Sequence, residues 1–233
     1  MMSMISTVLT LAASVTMAVW QQPQPDVTIY RSWVAPNVTI VEGMFRVDPE
    51  LLGTSDCSYG VRLLVQDNDG MELSKTEWTG ECPVSNGVQL GGLETFQFNV
   101  VPATYRVTVE VFPLSNPNRR AVRTLAVQGL DIDPVVSDLI LAREVAIVDT
   151  STDARWTLRR GGVGIQATSQ MVVEVTDPKL AYYLEVYPEA NTPITGTVFG
   201  VVKRRDGREL ARFQLQQLDR VVEPWPVAGE VSV

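Results

Sequence analysis

Histidine is missing from all 233 residues. Its absence removes histidine-based triads, histidine general bases and the commonest metal ligand in one step. Cysteine occurs only twice, at Cys57 and Cys82. Two cysteines cannot build a structural zinc site, so no metal centre and no cofactor are expected. A basic excess is missing too: 19 Lys and Arg stand against 27 Asp and Glu, a net charge of -8. Such a chain has no broad basic face for phosphates, which argues against nucleic acid as a partner. Long amphipathic helical patterns are also lacking. What is present is ordinary for a globular protein, 45% apolar and 20% charged, so wholesale disorder is excluded. The length allows two domains of about 100 residues each after a leader.

The first 20 residues, Met1 to Trp20, carry no charged side chain. Two readings compete. A signal peptide has an apolar middle and small residues before the cut, which Thr16-Met17-Ala18 fits loosely, although the usual Lys or Arg near the start is missing. A membrane anchor needs about 20 mostly apolar residues, and this stretch is just long enough to form one hydrophobic helix. Trp20 would then sit at the outer membrane interface. Both readings place the rest of the chain outside the cytoplasm. Residues 21–26 follow as a polar, proline-bearing spacer.

One hairpin pattern occurs twice. Val61-Arg62-Leu63-Leu64-Val65-Gln66 runs into Asp69-Gly70 and leaves through Glu72-Leu73. Val198-Phe199-Gly200-Val201-Val202-Lys203 runs into Asp206-Gly207 and leaves through Glu209-Leu210. Asp-Gly between apolar runs is a strong hairpin signal, because Gly reaches φ > 0 without steric cost. Upstream, Phe45-Arg46-Val47-Asp48-Pro49-Glu50 matches Leu184-Glu185-Val186-Tyr187-Pro188-Glu189 with a two-residue gap. The repeat has domain size. With the many short, alternating strands it predicts an all-β fold: two tandem antiparallel Ig/fibronectin-like β-sandwich domains, residues 27–131 and 132–233.

Alternation places residues on faces. Phe96, Phe98 and Val100 point one way; Tyr105, Val107, Val109 and Val111 point inward from the next strand. Phe45, Leu63, Val65, Leu184, Val186, Val201 and Leu210 complete the expected core. Met171 to Val175 reads as a strand. The repeat also leaves the second unit one step short, because the counterpart of Tyr105 to Val111 is missing. Either the sequence is part of a longer chain, the simpler account, or another chain covers the edge by β-augmentation.

Several features resemble functional motifs and fail on inspection. Asp67-Asn68-Asp69-Gly70 lacks the further oxygen ligands and closing Glu of a calcium loop. Arg159-Arg160-Gly161-Gly162-Val163-Gly164 lacks the Lys-Ser/Thr of a phosphate loop. Cys57 and Cys82 flank the first hairpin; if the chain is exported, a disulfide is the natural reading, with free thiols as the alternative. Tyr183 and Tyr187 share a strand face and suit either a partner surface or internal packing. Arg204 and Arg205, at the second turn, are further partner-binding candidates.

Ser137-Asp138-Leu139-Ile140-Leu141-Ala142, Tyr182-Tyr183-Leu184-Glu185-Val186-Tyr187 and the Asp206-Gly207 hairpin resemble the β-sandwich region of bacterial GWxTD-domain proteins. The resemblance implies an exported β-sandwich. It transfers no functional residue, because the Gly-Trp-x-Thr-Asp motif itself is absent.

Three functions are weighed. Catalysis would have to rest on paired carboxylates, such as Asp48, Glu50 and Glu189, and no catalytic residue is assigned. The favoured reading is a non-catalytic accessory subunit, its β-sandwiches binding and stabilising other subunits of a larger membrane complex, whether respiratory, photosynthetic, secretory or of the envelope. The alternative is a ligand- or glycan-binding module using Trp33, Trp78, Trp156 or Trp225.

Overall fold

Period-two alternation is realised throughout as antiparallel β-structure. The computed structural model describes residues 24–52, 57–86, 88–131, 136–148, 156–160, 162–168, 179–189 and 192–232. In chain order the first half runs β1 (Val27–Ala35), β2 (Val38–Val47), the helical turn α1 (Pro49–Leu52), β3 (Ser58–Gln66), β4 (Glu72–Glu81), β5 (Val84–Ser85), β6 (Val88–Gln89), β7 (Gly92–Val100), β8 (Thr104–Pro113) and β9 (Ala121–Gln128). The second half runs β10 (Ile140–Ile147), β11 (Leu158–Arg160), β12 (Val163–Ala167), β13 (Lys179–Val186), β14 (Ile194–Lys203), β15 (Glu209–Val221) and β16 (Trp225–Ser232).

The first half is a sandwich. Strands β1-β2-β7 form one sheet and β4-β3-β8-β9 the other. Between them lies a core that includes Phe45, Val61, Leu63, Val65, Phe96 and Val107, with Phe98 half-buried against it. The inward set expected from alternation is therefore the observed one here. Cys57 and Cys82 are joined as a disulfide across the open ends of β3 and β4, with Cα atoms 5.3 Å apart.

The second half repeats the plan. Its sheet β11-β12-β10-β13-β16 contains β10-β13-β16 in the places of β1-β2-β7, and β14-β15 stands where β3-β4 stands. Both Asp-Gly turns close alike: Gly70 has φ 86° and Gly207 φ 87°. Gly70 N–H donates to Asp67 O and Gly207 N–H to Arg204 O, at 3.2 and 2.9 Å. Among the described residues, nothing in the second half takes the places of β8 and β9.

The halves stack rather than follow one another as separate beads. Strand β2 is buried on both faces: Val41, Phe45 and Val47 enter the first core, while Met44 points the opposite way. Met44 and Tyr30 join Ile140, Leu158, Ile165 and Tyr183 in a second core between the sheets of the two halves. A third core, with Tyr182, Leu184, Val186, Leu218, Val221 and Val227, lies under the β14-β15 hairpin. The order of layers is thus β4-β3-β8-β9, β1-β2-β7, β11-β12-β10-β13-β16, then β14-β15.

Two core expectations are corrected. Val201 and Leu210 are 38% and 52% exposed. Val198 packs on the third core, so period two turns Val201 to the opposite face, and Leu210, like its match Leu73 in the first hairpin, lies exposed beside the turn. The N-terminal stretch with Trp20 and the expected strand Met171 to Val175 lie outside the described residues. Among the described residues, no helix is long and apolar enough to cross a membrane.

Candidate partner-binding site

Tyr183 and Tyr187 are not a free surface, which corrects their candidacy for an outside partner. They are 1% and 4% exposed and face the first half of the same chain. Period two sends Tyr182 and Leu184 toward the hairpin and Tyr183, Glu185 and Tyr187 toward β1. The Glu185 carboxylate accepts both phenols, Tyr183 Oη at 2.8 Å and Tyr187 Oη at 2.6 Å. Tyr187 Oη in turn accepts the Trp33 backbone N–H at 2.9 Å, and the Trp33 and Tyr187 rings sit 5.6 Å apart. Burial first, then the Glu185 charge, hold the Tyr183 phenol well above its ordinary pKa. For Tyr187 burial leads and the hydrogen bond to Glu185 follows, in the same direction.

The same interface contains charges that sequence reasoning missed. Arg160, at the end of β11, donates to Glu42 Oε2 and Ser32 Oγ. Both members of this ion pair are buried, with side chains 10% and 11% exposed. Arg160 Nε–H is buried without a protein acceptor among the described residues. A second clamp joins Arg31 to Asp138: Nε and Nη2 donate to the two carboxylate oxygens at 2.8 and 2.7 Å. Asp138 N–H also donates to Arg31 O at 2.9 Å. The one sequence signal for these pairs is a charge interrupting an apolar strand, as Glu42 does between Val41 and Met44. Partner identity has no local signal.

Arg204 and Arg205 lie where the turn pattern puts them, exposed at the tip of β14-β15. They are not alone. Lys203, Arg208 and Arg212 flank them, with only Asp206 and Glu209 opposing. Five of the 19 basic side chains thus fall within ten residues of an acidic chain. Arg212 pairs with Glu209 at 3.1 Å, and its guanidinium lies 5.9 Å from the Phe199 ring centre. Below this basic tip, Phe199, Val201, Val202 and Leu210 are exposed by 37–52%. Apolar side chains held in water at a sheet edge are the usual mark of an interaction surface.

Other places offer less. A groove of about 360 Å³ opens between β1 and β9 beside Val27, Ile29 and Val127, but its two charged walls, Arg31 and Asp138, are spent on each other. The tryptophans do not share a groove: Trp33 packs at the interface of the halves, Trp78 donates to Glu94 at 2.7 Å, Trp156 is buried, and Trp225 is 45% exposed on β16. Asp67 accepts the backbone N–H groups of Asp69 and Met71, at 3.0 and 2.8 Å, and so shapes its turn. Asp48 pairs with Arg46 at 3.5 Å.

No family model matches the chain, and no curated protein matches it in sequence. Among solved structures it is similar to one described as a "putative beta-galactosidase from bacteroides fragilis", with a TM-score of 0.33 and 15% identity. The match covers 45% of this chain and 16% of that one, so the chain spans a small part of that protein's length. At this level the similarity bears on neither fold family nor activity.

Proposed function

We propose that this chain is a non-catalytic accessory subunit, exported or membrane-anchored, that binds and stabilises partner proteins of a larger membrane complex on the periplasmic side. Its working parts are two Ig/fibronectin-like β-sandwich units. The three-plus-four strand arrangement of the first half supports that finer assignment, and the second half repeats the plan in part. The observation that carries the reading is the β14-β15 hairpin. It combines exposed apolar side chains with a basic tip on a body whose internal interface is clamped by Arg160–Glu42 and Arg31–Asp138. The Cys57–Cys82 disulfide supports an oxidising compartment. A chain without histidine, whose buried Glu42 and half-buried Glu185 serve internal contacts, supports a role other than catalysis.

The test is purification of the full chain from its native membranes in mild detergent, with mass spectrometry of what co-elutes. A partner protein at fixed stoichiometry is the expected result. A free monomer with no co-eluting subunit would refute the reading.

A further inference from the structure

We infer that the open edge of β14 takes up one extended strand from a partner protein, in the place that β8 fills on β3, and that this donor carries acidic residues ahead of an alternating apolar run. The inference rests on the partner-holding reading above and names its site and chemistry.

The first half supplies the template. Strand β3 is covered on one side by β4 and on the other by β8, antiparallel, with register from Tyr59↔Pro113 to Gln66↔Arg106. Counting back from the Asp-Gly turns, Val61 corresponds to Val198 and Val65 to Val202. Strand β14 pairs with β15 but, among the described residues, with no strand on its other side. The consequence shows in burial. Val65 is 3% exposed and Val202 37%. An unpaired edge also presents a row of N–H and C=O groups, which an added strand satisfies while its alternate side chains fill the space beside Val198 and Val202.

Charge says what kind of strand fits. In the first half the turn is acidic, Asp67 and Asp69, and the residue opposite the end of β3 is the basic Arg106, which borders a common groove with Asp67. In the second half the turn carries Arg204 and Arg205 and is flanked by Lys203 and Arg208. The complementary donor is therefore acidic where β8 is basic. Antiparallel pairing brings the donor's N-terminal end to the tip, as Arg106 lies toward the start of β8. The acidic residues therefore precede the apolar run.

A fluorescent synthetic peptide, Asp-Asp-Val-Thr-Val-Thr-Val-Thr-Tyr, tests this on the full chain by anisotropy. Saturable binding is expected, weakening with salt. Replacing both aspartates by lysine should weaken it by roughly tenfold or more, and the Arg204→Glu/Arg205→Glu variant should invert that preference. Both arginines are exposed at a turn, so circular dichroism of the variant should match the parent. A peptide with proline at its two central positions should not bind, because it cannot complete the ladder.

Equal binding of acidic and basic peptides, or unimpaired binding of the proline peptide, would overturn the inference. So would slow hydrogen exchange along β14 in the free chain, which would mean a segment of the same protein already covers the edge. Concentration-dependent dimers abolished by Arg204→Glu/Arg205→Glu would assign the edge to a second copy instead. The two proposals fail separately. A native partner retained by that variant leaves the accessory reading standing and sinks the donor strand. Peptide binding without any native partner does the reverse.

Discussion

Glu42 and Arg160 place opposite charges where little water reaches, on strands 118 residues apart. Removing one partner strands the other as a buried, uncompensated charge, so Glu42→Gln should cost roughly 3 kcal/mol or more. Replacing both, Glu42→Leu with Arg160→Met, should restore stability to about the parent value, because well-packed apolar residues often match a buried pair. Urea titration of the single and double variants decides it; a double variant as weak as the sum of the singles would contradict the assignment. The phenols make a pH prediction. Tyr59, Tyr183 and Tyr187 all have folded pKa values above their ordinary value, mainly through burial. Their stabilisation is therefore complete below pH about 10, where the unfolded chain keeps the same protons, and falls as pH rises beyond it. Denaturation across that range should show the decline, shallower in Tyr183→Phe/Tyr187→Phe. A flat profile would contradict it.

At the scale of elements, the β3-β4 hairpin is tied by a disulfide spanning 25 residues. Loop-closure entropy for that length is worth about 3–4 kcal/mol, so Cys57→Ala/Cys82→Ala should lose about that much in a urea titration. Unchanged stability would contradict the pairing. Strand β8 should be less forgiving: Val107 is fully buried, and Val107→Asp should remove the cooperative melting of the first half. An unchanged melting temperature would mean the faces are misassigned. These elements were legible in the sequence because their causes are local. Asp-Gly turns demand positive φ, and Val107, Val109 and Val111 alternate strictly. Val201 and Leu210 turn on phase and position. Val201 is out of phase with Val198, which packs on the third core, so strict alternation puts it on the open face, and Leu210 takes the place of Leu73, which is exposed as well. The tip arginines were visible from the turn pattern. The interior position of Tyr183 and Tyr187 was not decidable locally, because it depends on β1 from the other half.

The whole molecule is a stack of layers with cores between successive sheets. Two consequences follow from that order. The sheet β1-β2-β7 has its two faces claimed, one by its own sandwich and one by the second half, and the Arg31–Asp138 and Arg160–Glu42 clamps lock the second contact. The last layer, β14-β15, is covered on one face and, among the described residues, has no strand on the free side of β14; its tip gathers Lys203, Arg204, Arg205 and Arg208, with Phe199, Val201, Val202 and Leu210 exposed below it. The hairpin pattern that recurs in the sequence thus has two fates. The first copy is finished by β8 and β9; among the described residues, no strand takes their places beside the second. Hydrogen exchange of the full chain, free and in its natively purified complex, tests this most directly. The account predicts strong protection of Val61–Gln66 in both samples, and fast exchange of Val198–Lys203 that slows in the complex. Unchanged exchange at Val198–Lys203, with new protection elsewhere, would contradict it.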